Sequence, residues 1–411
     1  MKKIKDRILP IVFVLIIFLG FFGTAITKGK VIVWNVVKNS DAYRSDDTFS
    51  GKLHSYISAF DGAVNDNIFL KNQYIDLFGV LQNVMQKDVI PSKGFTGTIV
   101  RGSDNKLYTA SSVTTEKSDT EDLSDIEEYA NALTALNKTV KDSGGELLYV
   151  QAPQKYHDDV KVPVSIDAQH LNVRKDALLE QIRGKVDCID AEQGLRERGI
   201  DENAMFFATD HHWTVDSAFG CYQEICDYLN ENTDFSIEKT YYDSENWNRE
   251  ELKDAYLGST GVRVGRYYVG RDDFSLYTPK FDTDFERHYL STETEESEGD
   301  FAHCVLTRYD SLIGGDYSNL TWSIYTGADT SYVSIVNKDT DSDKKVLVVK
   351  DSFGLPVCAF MSTVCQELDI YDMRYSHESS LNQFIQNENF DLVLFVYNPE
   401  ALSSTFFDFD Q

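Results

Sequence analysis

Two short motifs contain side chains whose types and spacing could perform acyl-transfer chemistry. In residues 206–214, FFATDHHWT, an aspartate precedes a histidine by two positions, so Asp210 can aim its carboxylate at the imidazole of His212. In residues 346–354, VLVVKDSFG, Ser352 follows an apolar strand at the point where a helix begins. A serine on such a turn can attack a carbonyl carbon while backbone N–H groups hold the oxyanion. Together the motifs predict a triad in which His212 takes the proton of Ser352.

Each motif also has a plainer explanation. Ser352 could be an ordinary N-cap residue, because serine is common at helix starts. The loop before Trp213 could be structural, with satisfied polar groups, or it could bind a metal ion through Asp210, His211 and His212. Adjacent histidines in an extended chain point apart, and the sequence offers no obvious cluster of further ligands. We therefore expect no metal ion and no cofactor at this site.

The oxyanion hole and the substrate site have candidates of their own. The amide of Ser352 is one oxyanion donor, and Asn398 is a second, although an asparagine before proline is also a common turn residue. Arg374 follows another predicted strand and could bind an anionic or polyol substrate, or it could form a structural ion pair. Trp213 could stack on a sugar ring or pack in the interior. His211 is expected beside the triad, as a third candidate for contact with substrate.

The elements that must position these residues predict an α/β fold. Almost wholly apolar segments typical of buried strands cover residues 146–150, 186–190, 345–349, 368–371 and 391–396. Helical patterns separate them over residues 121–143, 170–183, 214–231 and 378–388. Such alternation favours a parallel sheet with helices on both faces, whose ligands bind beyond the carboxyl ends of the strands. Both motifs directly follow strand segments, so they lie where this rule places a site.

Other parts of the chain have different patterns. Residues 56–88 carry apolar positions at helical spacing, and residues 95–108 have the pattern of a β-hairpin around the turn GSDN. Residues 240–340 are rich in Tyr, Asp, Thr and Ser, with β-prone runs at 266–269 and 331–336. We expect a partly β insertion there that packs over the site.

The N-terminus predicts a membrane anchor. Residues 8–26 contain no charge and are long enough to cross a bilayer as a helix. Four basic residues precede them, so the N-terminus should stay in the cytoplasm and the main domain should be extracellular. A cleaved signal peptide is the alternative, although the cleavage site would be poor. We expect a tip and single-pass anchor over 1–28, a stalk over 29–60 and an extracytoplasmic domain over 61–411.

The composition argues against some partners. The chain of 411 residues has 39 Lys and Arg against 67 Asp and Glu, a net charge of −28. That charge repels nucleic acid and anionic lipid, so neither is expected to bind the globular part. Six cysteines in an exported domain could form up to three disulfides, or they could be small buried apolar residues.

The paired motifs resemble those of the DHHW family of Gram-positive bacteria, within the AlgX/AlgJ-like group of SGNH-hydrolase-like proteins associated with polysaccharide O-acetylation. The resemblance extends over most of residues 60–400. Segments that carry it further are 66–73, DNIFLKNQ; 94–107; 257–261, LGSTG; 369–375, DIYDMRY; and 391–398. Leu70 and Lys71 depart from the Pro and Arg of the first of these segments, and Lys350 stands where many SGNH enzymes have glycine.

The resemblance implies an SGNH-hydrolase-like, flavodoxin-like fold, with Ser352 as nucleophile, His212 as base and Asp210 as the acid that orients it. The order Asp, His, Ser along the chain permutes the usual SGNH order and is shared with the alginate proteins. The implied activity is acetyl transfer to a cell-surface or secreted polysaccharide, or ester hydrolysis on it, with a membrane-bound O-acyltransferase as acetyl-supplying partner. The alternative is a non-catalytic glycan-binding or scaffold protein of the same fold, which would usually have lost one of the three residues.

Overall fold

The chain divides into two compact units, Met1–Met85 and Gln86–Gln411, in a computed structural model. The structure describes residues 2–40, 48–92, 97–110, 123–164, 166, 168–289, 297–327, 329–375 and 377–410. The boundaries predicted at residues 28 and 60 stay predictions, as does the stalk between them.

The first unit is helical. Its helices are α1 (Lys2–Asn39), α2 (Phe49–Asp66) and α3 (Lys71–Val84). Within the described residues, Ile17–Asn39 of α1 has the length and composition of a helix that could cross a membrane, and it overlaps the predicted span 8–26, all of which lies in α1. The sequence predicted one helical segment over 56–88, whereas the structure has a break between α2 and α3. Asn67 caps the end of α2, and Leu70 adopts a left-handed φ of 61°, which turns the chain before α3 begins.

The second unit is an α/β domain. Its helices are α4 (Ile126–Asp142), α5 (Ala168–Ile182), α6 (Ala191–Glu197), α7 (Val215–Asn232), α8 (Lys239–Tyr242), α9 (Gly261–Val264), α10 (Tyr309–Ile313), α11 (Gly354–Met361), α12 (Leu381–Asn387) and α13 (Ser404–Phe407). Its strands are β1 (Val89–Ile90), β2 (Thr98–Arg101), β3 (Leu107–Ala110), β4 (Glu146–Gln151), β5 (Asp187–Asp190), β6 (Trp247–Tyr256), β7 (Asp272–Pro279), β8 (Phe285–Tyr289), β9 (Ser297–Gly299), β10 (Tyr332–Asn337), β11 (Lys345–Lys350), β12 (Glu367–Tyr371) and β13 (Leu392–Tyr397).

The main sheet has eight strands in the order β5-β4-β13-β11-β12-β10-β8-β9. The first five are parallel, and they are the five strands that the sequence predicted. If β11, β12, β13, β4 and β5 are numbered one to five, the order across the sheet from β12 to β5 is 2-1-3-4-5. This is the flavodoxin order. The sheet is therefore a circular permutation of that arrangement. The predicted α/β, SGNH-hydrolase-like fold is confirmed, and the permutation explains why the serine motif comes last in the chain.

The permuted order also fixes where a ligand can bind. From β11 the chain moves to β12 at one side and then returns to β13 at the other, so strands β11 and β13 flank the point where the order reverses. Crevices at such switch points, beyond the carboxyl ends of the strands, are the usual ligand sites of open α/β sheets. Ser352 follows β11 and Asn398 follows β13 at this point.

Helices cover both faces of the parallel strands. On one face, Leu347 and Val349 of β11 join an apolar cluster with residues of α4, α5 and α12. On the other, Val346 and Val348 join a larger cluster with residues of α7 and α11. All four side chains are completely buried, as alternating side chains of a central strand must be when both faces are covered.

The insertion over 240–340 is part of this sheet. Strands β8, β9 and β10 extend it in antiparallel fashion beyond β12, which makes the sheet mixed, while β6 and β7 form a separate two-stranded ribbon. The β-prone run at 331–336 is confirmed as β10. The prediction for 266–269 was wrong, because those residues form a turn after α9 and pair with no strand.

The predicted hairpin near residue 100 is confirmed for its described part. Strands β2 and β3 pair in antiparallel register, with Arg101 opposite Leu107, and β1 adds a third strand. Residues 95 and 96 of the prediction lie outside the described residues, as do residues 121 and 122 at the start of the predicted helix that became α4.

Candidate active site

The turn that carries Ser352 is tied to the end of β13 by one carboxylate. The side chain of Asp351 accepts hydrogen bonds from the amide of Phe353 at 2.8 Å and from the amide and Nδ2 of Asn398 at 2.7 and 2.8 Å. Asp351 is buried, and this burial raises its pKa to about 6 despite the three donors. The serine turn and Asn398 therefore form one rigid structure across the switch point.

The loop that carries the histidines is held by Asp272, at the start of β7. Its carboxylate accepts hydrogen bonds from the amides of Ala208 and Thr209 at 2.6 and 2.8 Å, and from the hydroxyl of Thr209. That hydroxyl in turn accepts a hydrogen bond from the amide of Gly258 at 2.8 Å. A Cβ on Gly258 would lie 2.4 Å from the Cβ of Asp210, so only glycine fits at this position.

Lys155 supports the same loop from the strand β4 side. Its buried ammonium group donates to the carbonyl oxygens of Leu107 and Asp210, both at 2.7 Å. Burial, together with the nearby charge of Lys106, lowers the pKa of Lys155 to about 7. The sequence analysis passed over Lys155, and the signal for it was a charged residue just beyond a buried strand, at the end of the sheet where ligands bind.

The three predicted catalytic side chains form a continuous hydrogen-bonded chain. The Oγ of Ser352 lies 2.7 Å from Nε2 of His212, and Nδ1 of His212 lies 2.7 Å from Oδ1 of Asp210. Asp210 and His212 are buried, while Ser352 is partly exposed. Although 140 residues separate the serine from the histidine, the fold places them within hydrogen-bond distance. In this arrangement the imidazole can take the serine proton while the carboxylate stabilises the imidazolium.

Burial and the two adjacent histidines determine the pKa values of the ionisable side chains at the site. Burial opposes ionisation of Asp210, but His212 and His211 beside it hold its pKa well below the usual range. Burial and the neighbouring charge of His211 lower the pKa of His212 to about 4. For His211, burial favours the neutral form, yet the hydrogen bond to Asp210 raises its pKa overall. His212 is thus neutral at neutral pH, the form that a general base requires.

The insertion completes the site with residues that the sequence analysis did not select. The hydroxyl of Tyr256 donates to Oδ2 of Asp210 at 2.6 Å, and the amide of Ser259 donates to the same oxygen at 2.7 Å. The indole of Trp322 stacks on His212 with a centroid distance of 4.9 Å and a 14° angle. Trp322 also donates to the carbonyl of Ser352 at 2.6 Å. Only the segment 257–261 had been noticed, through the family resemblance.

Trp213 and His211 occupy different surroundings. Trp213 has no exposed surface, and its Nε1 donates to the carbonyl of Phe353 at 3.1 Å, so it links the two motifs inside the core. His211 is partly exposed, with Nδ1 3.0 Å from the hydroxyl of Ser259 and 3.1 Å from Asp210. Of these two substrate-binding candidates, His211 is the one with surface available to a ligand.

Arg374 belongs to a network of four charged side chains next to the serine turn. Its guanidinium donates to Asp372 at 2.6 and 2.9 Å and lies 3.0 Å from Asp329. The buried ammonium of Lys350 bridges the same two carboxylates. Two cations and two anions therefore balance each other here, and this network accounts for a lysine at position 350.

Asp210, His211 and His212 each offer one ligand atom within 4.8 Å of the other two. In the observed geometry, the carboxylate and both ring nitrogens of His212 already take part in the hydrogen bonds of the triad. A metal ion bound by these residues would have to displace the hydrogen bond between Asp210 and His212.

A cleft of about 420 Å³, including its open mouth, lies beside the triad. Its walls include His211, Phe353 and Asn398, which are direct neighbours of the triad residues, together with Gln154 and Glu400. The Oε1 of Gln154 accepts the amide of Lys155 at 2.6 Å, which fixes the side chain. Its Nε2 is buried and has no hydrogen-bond partner in the described part of the chain. Because this donor has no exposed surface, it could reach a polar ligand atom only after the side chain turns into the cleft.

Residues 99–272 match the family described as the SGNH hydrolase-like domain of the acetyltransferase AlgX. Bacillus cereus PatB1 with a sulfonyl adduct is similar in structure, with a TM-score of 0.58 and 21% identity over 76% of this chain and 98% of that one. A DHHW family protein from Eubacterium siraeum has a TM-score of 0.52 and 15% identity over 76% and 95%. None of the curated proteins matches significantly.

The protein therefore has an SGNH-hydrolase-like fold, and residues 99–272 are similar to the SGNH hydrolase-like domain of the acetyltransferase AlgX. The resemblance to the AlgX/AlgJ-like and DHHW proteins that the sequence predicted is confirmed. The matched region includes Asp210 and His212, and Ser352 lies beyond it.

Proposed function

We propose that this chain is a serine-dependent O-acyltransferase or esterase that moves an acetyl group through an acyl-serine. The observation that carries the proposal is the hydrogen-bonded chain from Ser352 through His212 to Asp210, with both links at 2.7 Å. This geometry gives the serine a base and gives the base a carboxylate, the arrangement by which hydroxyl nucleophiles are activated.

In the first half of the reaction, Oγ of Ser352 attacks the carbonyl carbon of the acetyl donor, and Nε2 of His212 takes the hydroxyl proton. The amide of Ser352 and the Nδ2 of Asn398 are the proposed donors to the oxyanion. Nδ2 already donates one hydrogen to Asp351, which leaves its second hydrogen for this role. The C–O bond to the leaving group then breaks, and that group receives the proton from His212.

In the second half, a hydroxyl group attacks the acetyl-serine and His212 takes its proton. The bond to Ser352 breaks, and the serine oxygen recovers a proton from His212. Water as the attacking group gives ester hydrolysis, and a sugar hydroxyl gives transfer. We propose that the acceptor is a cell-surface or secreted polysaccharide, that a membrane-bound O-acyltransferase supplies the acetyl group, and that α1 anchors the domain outside the membrane. The AlgX family match and the apolar helix support this assignment.

We assign the acceptor to the cleft lined by His211, Asn398 and Gln154. Nε2 of Gln154 would donate to an oxygen of the sugar, and the carboxylate of Glu400 would accept from its hydroxyls. Sugars satisfy buried donors and acceptors of this kind because each hydroxyl can play both roles.

The first test compares the chain with its Ser352→Ala variant in hydrolysis of a p-nitrophenyl acetate reporter. We expect kcat to fall by roughly six orders of magnitude, or to the uncatalysed background of the reporter, because removing a triad nucleophile has a cost of that order. The control is Ser318→Ala, an exposed serine that donates only to Asp316, and its rate should equal that of the unchanged chain. Equal rates for Ser352→Ala would exclude the enzyme and favour the glycan-binding or scaffold alternative.

Two further measurements separate the serine mechanism from others. A sulfonyl fluoride should modify Ser352, identified by mass spectrometry, because a sulfonyl adduct forms on the structurally similar PatB1. Activity should persist in excess chelator, since the mechanism uses no metal ion. Loss of activity with chelator would instead favour a metal site at Asp210, His211 and His212.

The acceptor assignment is tested with Gln154→Leu, which removes the unpaired donor. Transfer of acetyl to neutral, acetamido and acidic oligosaccharides should fall about tenfold, the equivalent of one lost hydrogen bond. Hydrolysis of the reporter by water should change less than twofold. Equal losses in both reactions would contradict a role in acceptor binding, and transfer to none of the three sugars by the unchanged chain would overturn the transferase proposal.

A further inference from the structure

Helix α3 has an inverted distribution of side chains. Its buried residues are Asp76, Gly79 and Gln82, which are small or polar. Its exposed residues include Leu77 and Leu81, which are 55% and 50% exposed. A helix on the surface of a water-soluble domain normally turns its apolar stripe inward and its polar face outward. Here the fully buried positions are small or polar, and the apolar residues at 77, 78, 81 and 84 are exposed together with the polar residues at 72, 73 and 83.

The exposed apolar residues form one stripe along the helix. Leu77, Leu81 and Val84 are spaced by four and three positions, so they lie above one another on one face. Phe78 and Met85 widen the stripe, and both are exposed. No charged side chain interrupts it, because Asp76 is on the buried side. Such a face is unfavourable in water and suited to a hydrocarbon environment.

Contacts within the N-terminal unit show which residues of α1 lie beside the start of α3. The amide of Phe69 donates to the hydroxyl of Thr24 at 2.8 Å, and the Phe69 ring fills the space beside Gly23. One turn into α3, the hydroxyl of Tyr74 lies 3.9 Å from where a Cβ on Gly20 would be. These α1 residues belong to the uncharged segment 8–26, at the end away from the basic N-terminus. The start of α3 therefore contacts α1 within the last seven residues of this uncharged segment.

We propose that α3 is an interfacial membrane helix, with its Leu77–Leu81–Val84 face buried among the acyl chains of the outer leaflet. Amphipathic helices lie in the interface in this way, with the apolar face turned to the acyl chains. The face carries no charge, and α3 begins beside a part of α1 that is proposed to lie in the membrane, which favours lipid as the occupant. Lys71, at the first position of the helix and paired with Asp66 at 3.6 Å, lies where it can face the headgroups.

The test uses the full chain reconstituted in phosphatidylcholine–phosphatidylglycerol vesicles. Leu81→Cys is compared with Asn83→Cys, its exposed neighbour on the same helix, for reaction with a membrane-impermeant maleimide. The native thiols give a low background, because five of the six are buried and Cys188 is partly buried. We expect position 81 to react at least tenfold more slowly than position 83. A bimane label at position 81 should also be quenched by brominated acyl chains and not by aqueous iodide.

The possible outcomes separate the occupants of the face. Equal reaction rates at positions 81 and 83 in vesicles would overturn the proposal. A second outcome would also overturn the proposal: slow reaction of position 81 in native membranes, but equal rates at positions 81 and 83 in pure lipid vesicles. That result would assign the face to a protein partner. Leu77→Cys repeats the test on the same stripe, so one misfolded variant cannot decide the result. The proposal does not depend on the acyl-transfer activity.

Discussion

At the scale of single residues, burial and the neighbouring His211 lower the pKa of His212, the proposed general base. His212 shares the carboxylate of Asp210 with His211, and the two imidazole centroids are 3.9 Å apart. Because the pKa of His211 is raised, His211 carries its charge at pH values where it disfavours protonation of His212. Together with burial, this keeps His212 neutral down to acidic pH.

The resulting pH dependence is a direct prediction. Protonated His212 cannot accept the serine proton, so the kcat/KM for an acetyl ester should be flat above its pKa and should fall below about pH 4. In His211→Gln the repelling charge is absent, so the pKa of His212 should rise towards its ordinary value. The acidic limb of the profile should then move to higher pH.

The control for this experiment is His303→Gln. His303 is an exposed histidine of the insertion, paired with Asp300 at 2.6 Å, and it follows β9 at the far edge of the sheet. Replacing it should leave unchanged the pH at which kcat/KM falls. An unmoved limb in His211→Gln would show that burial alone sets the pKa of His212.

At the scale of elements, single carboxylates position the two catalytic loops. Asp351 ties the serine turn to β13, and Asp272 ties the histidine loop to β7. Neither loop is held by its own sequence alone, because the carboxylate of the serine turn is bound by donors of Asn398 and the histidine loop is bound by a carboxylate of the insertion.

We therefore expect Asp272→Asn to lower both the stability of the fold and the activity. The amide group that replaces one carboxylate oxygen would face an N–H donor of residue 208 or 209, leaving a partly buried donor unpaired. We expect a loss of about 1–3 kcal/mol in the free energy of unfolding, with a lower kcat because the triad is displaced. Denaturant unfolding and reporter hydrolysis measure the two effects.

The neighbouring residue supplies a matched control for this prediction. Asp273 pairs with Lys253 at 2.8 Å on the exposed surface, so Asp273→Asn should cost less than about 1 kcal/mol and leave kcat unchanged. Similar losses for the two variants would argue against a special role for Asp272.

At the scale of the whole molecule, the insertion is part of the SGNH-hydrolase-like domain. It extends the sheet through β8–β10 and contributes Tyr256, Ser259 and Trp322 to the triad surroundings. Deleting it would expose both the sheet edge and His212. It is therefore neither a separate module nor a lid resting on a complete site.

The fold is also held together without disulfides. All six cysteines have free thiols, and burial raises the pKa of each of them, to about 12 for Cys358. A disulfide typically contributes about 2–4 kcal/mol, so its reduction would lower the Tm by several degrees. Here we expect the same Tm with and without reductant in a thermal melt. A lower Tm in reductant would mean that some cysteines pair in the exported protein.

The sequence by itself determined the parts of this protein that depend on local pattern. Apolar strands of four to six residues, separated by amphipathic helices, predicted all five parallel strands close to their observed ends. Motif spacing selected Ser352, His212 and Asp210, because a two-residue offset between acid and base and a strand-to-helix serine are local features. The uncharged segment near the N-terminus likewise follows from composition alone.

Only the tertiary structure decided which residues surround those three. Tyr256, Trp322 and Lys155 contact the triad residues from distant segments, and Asp272 holds the loop that carries the histidines. Single aromatic or charged residues of this kind carry no periodic signal in the sequence. Strand order was equally hidden, because the pairing of β13 between β4 and β11 depends on long-range hydrogen bonds between backbones. The inverted face of α3 appeared only once burial was known, since a helical pattern shows which residues share a face and not which face is covered.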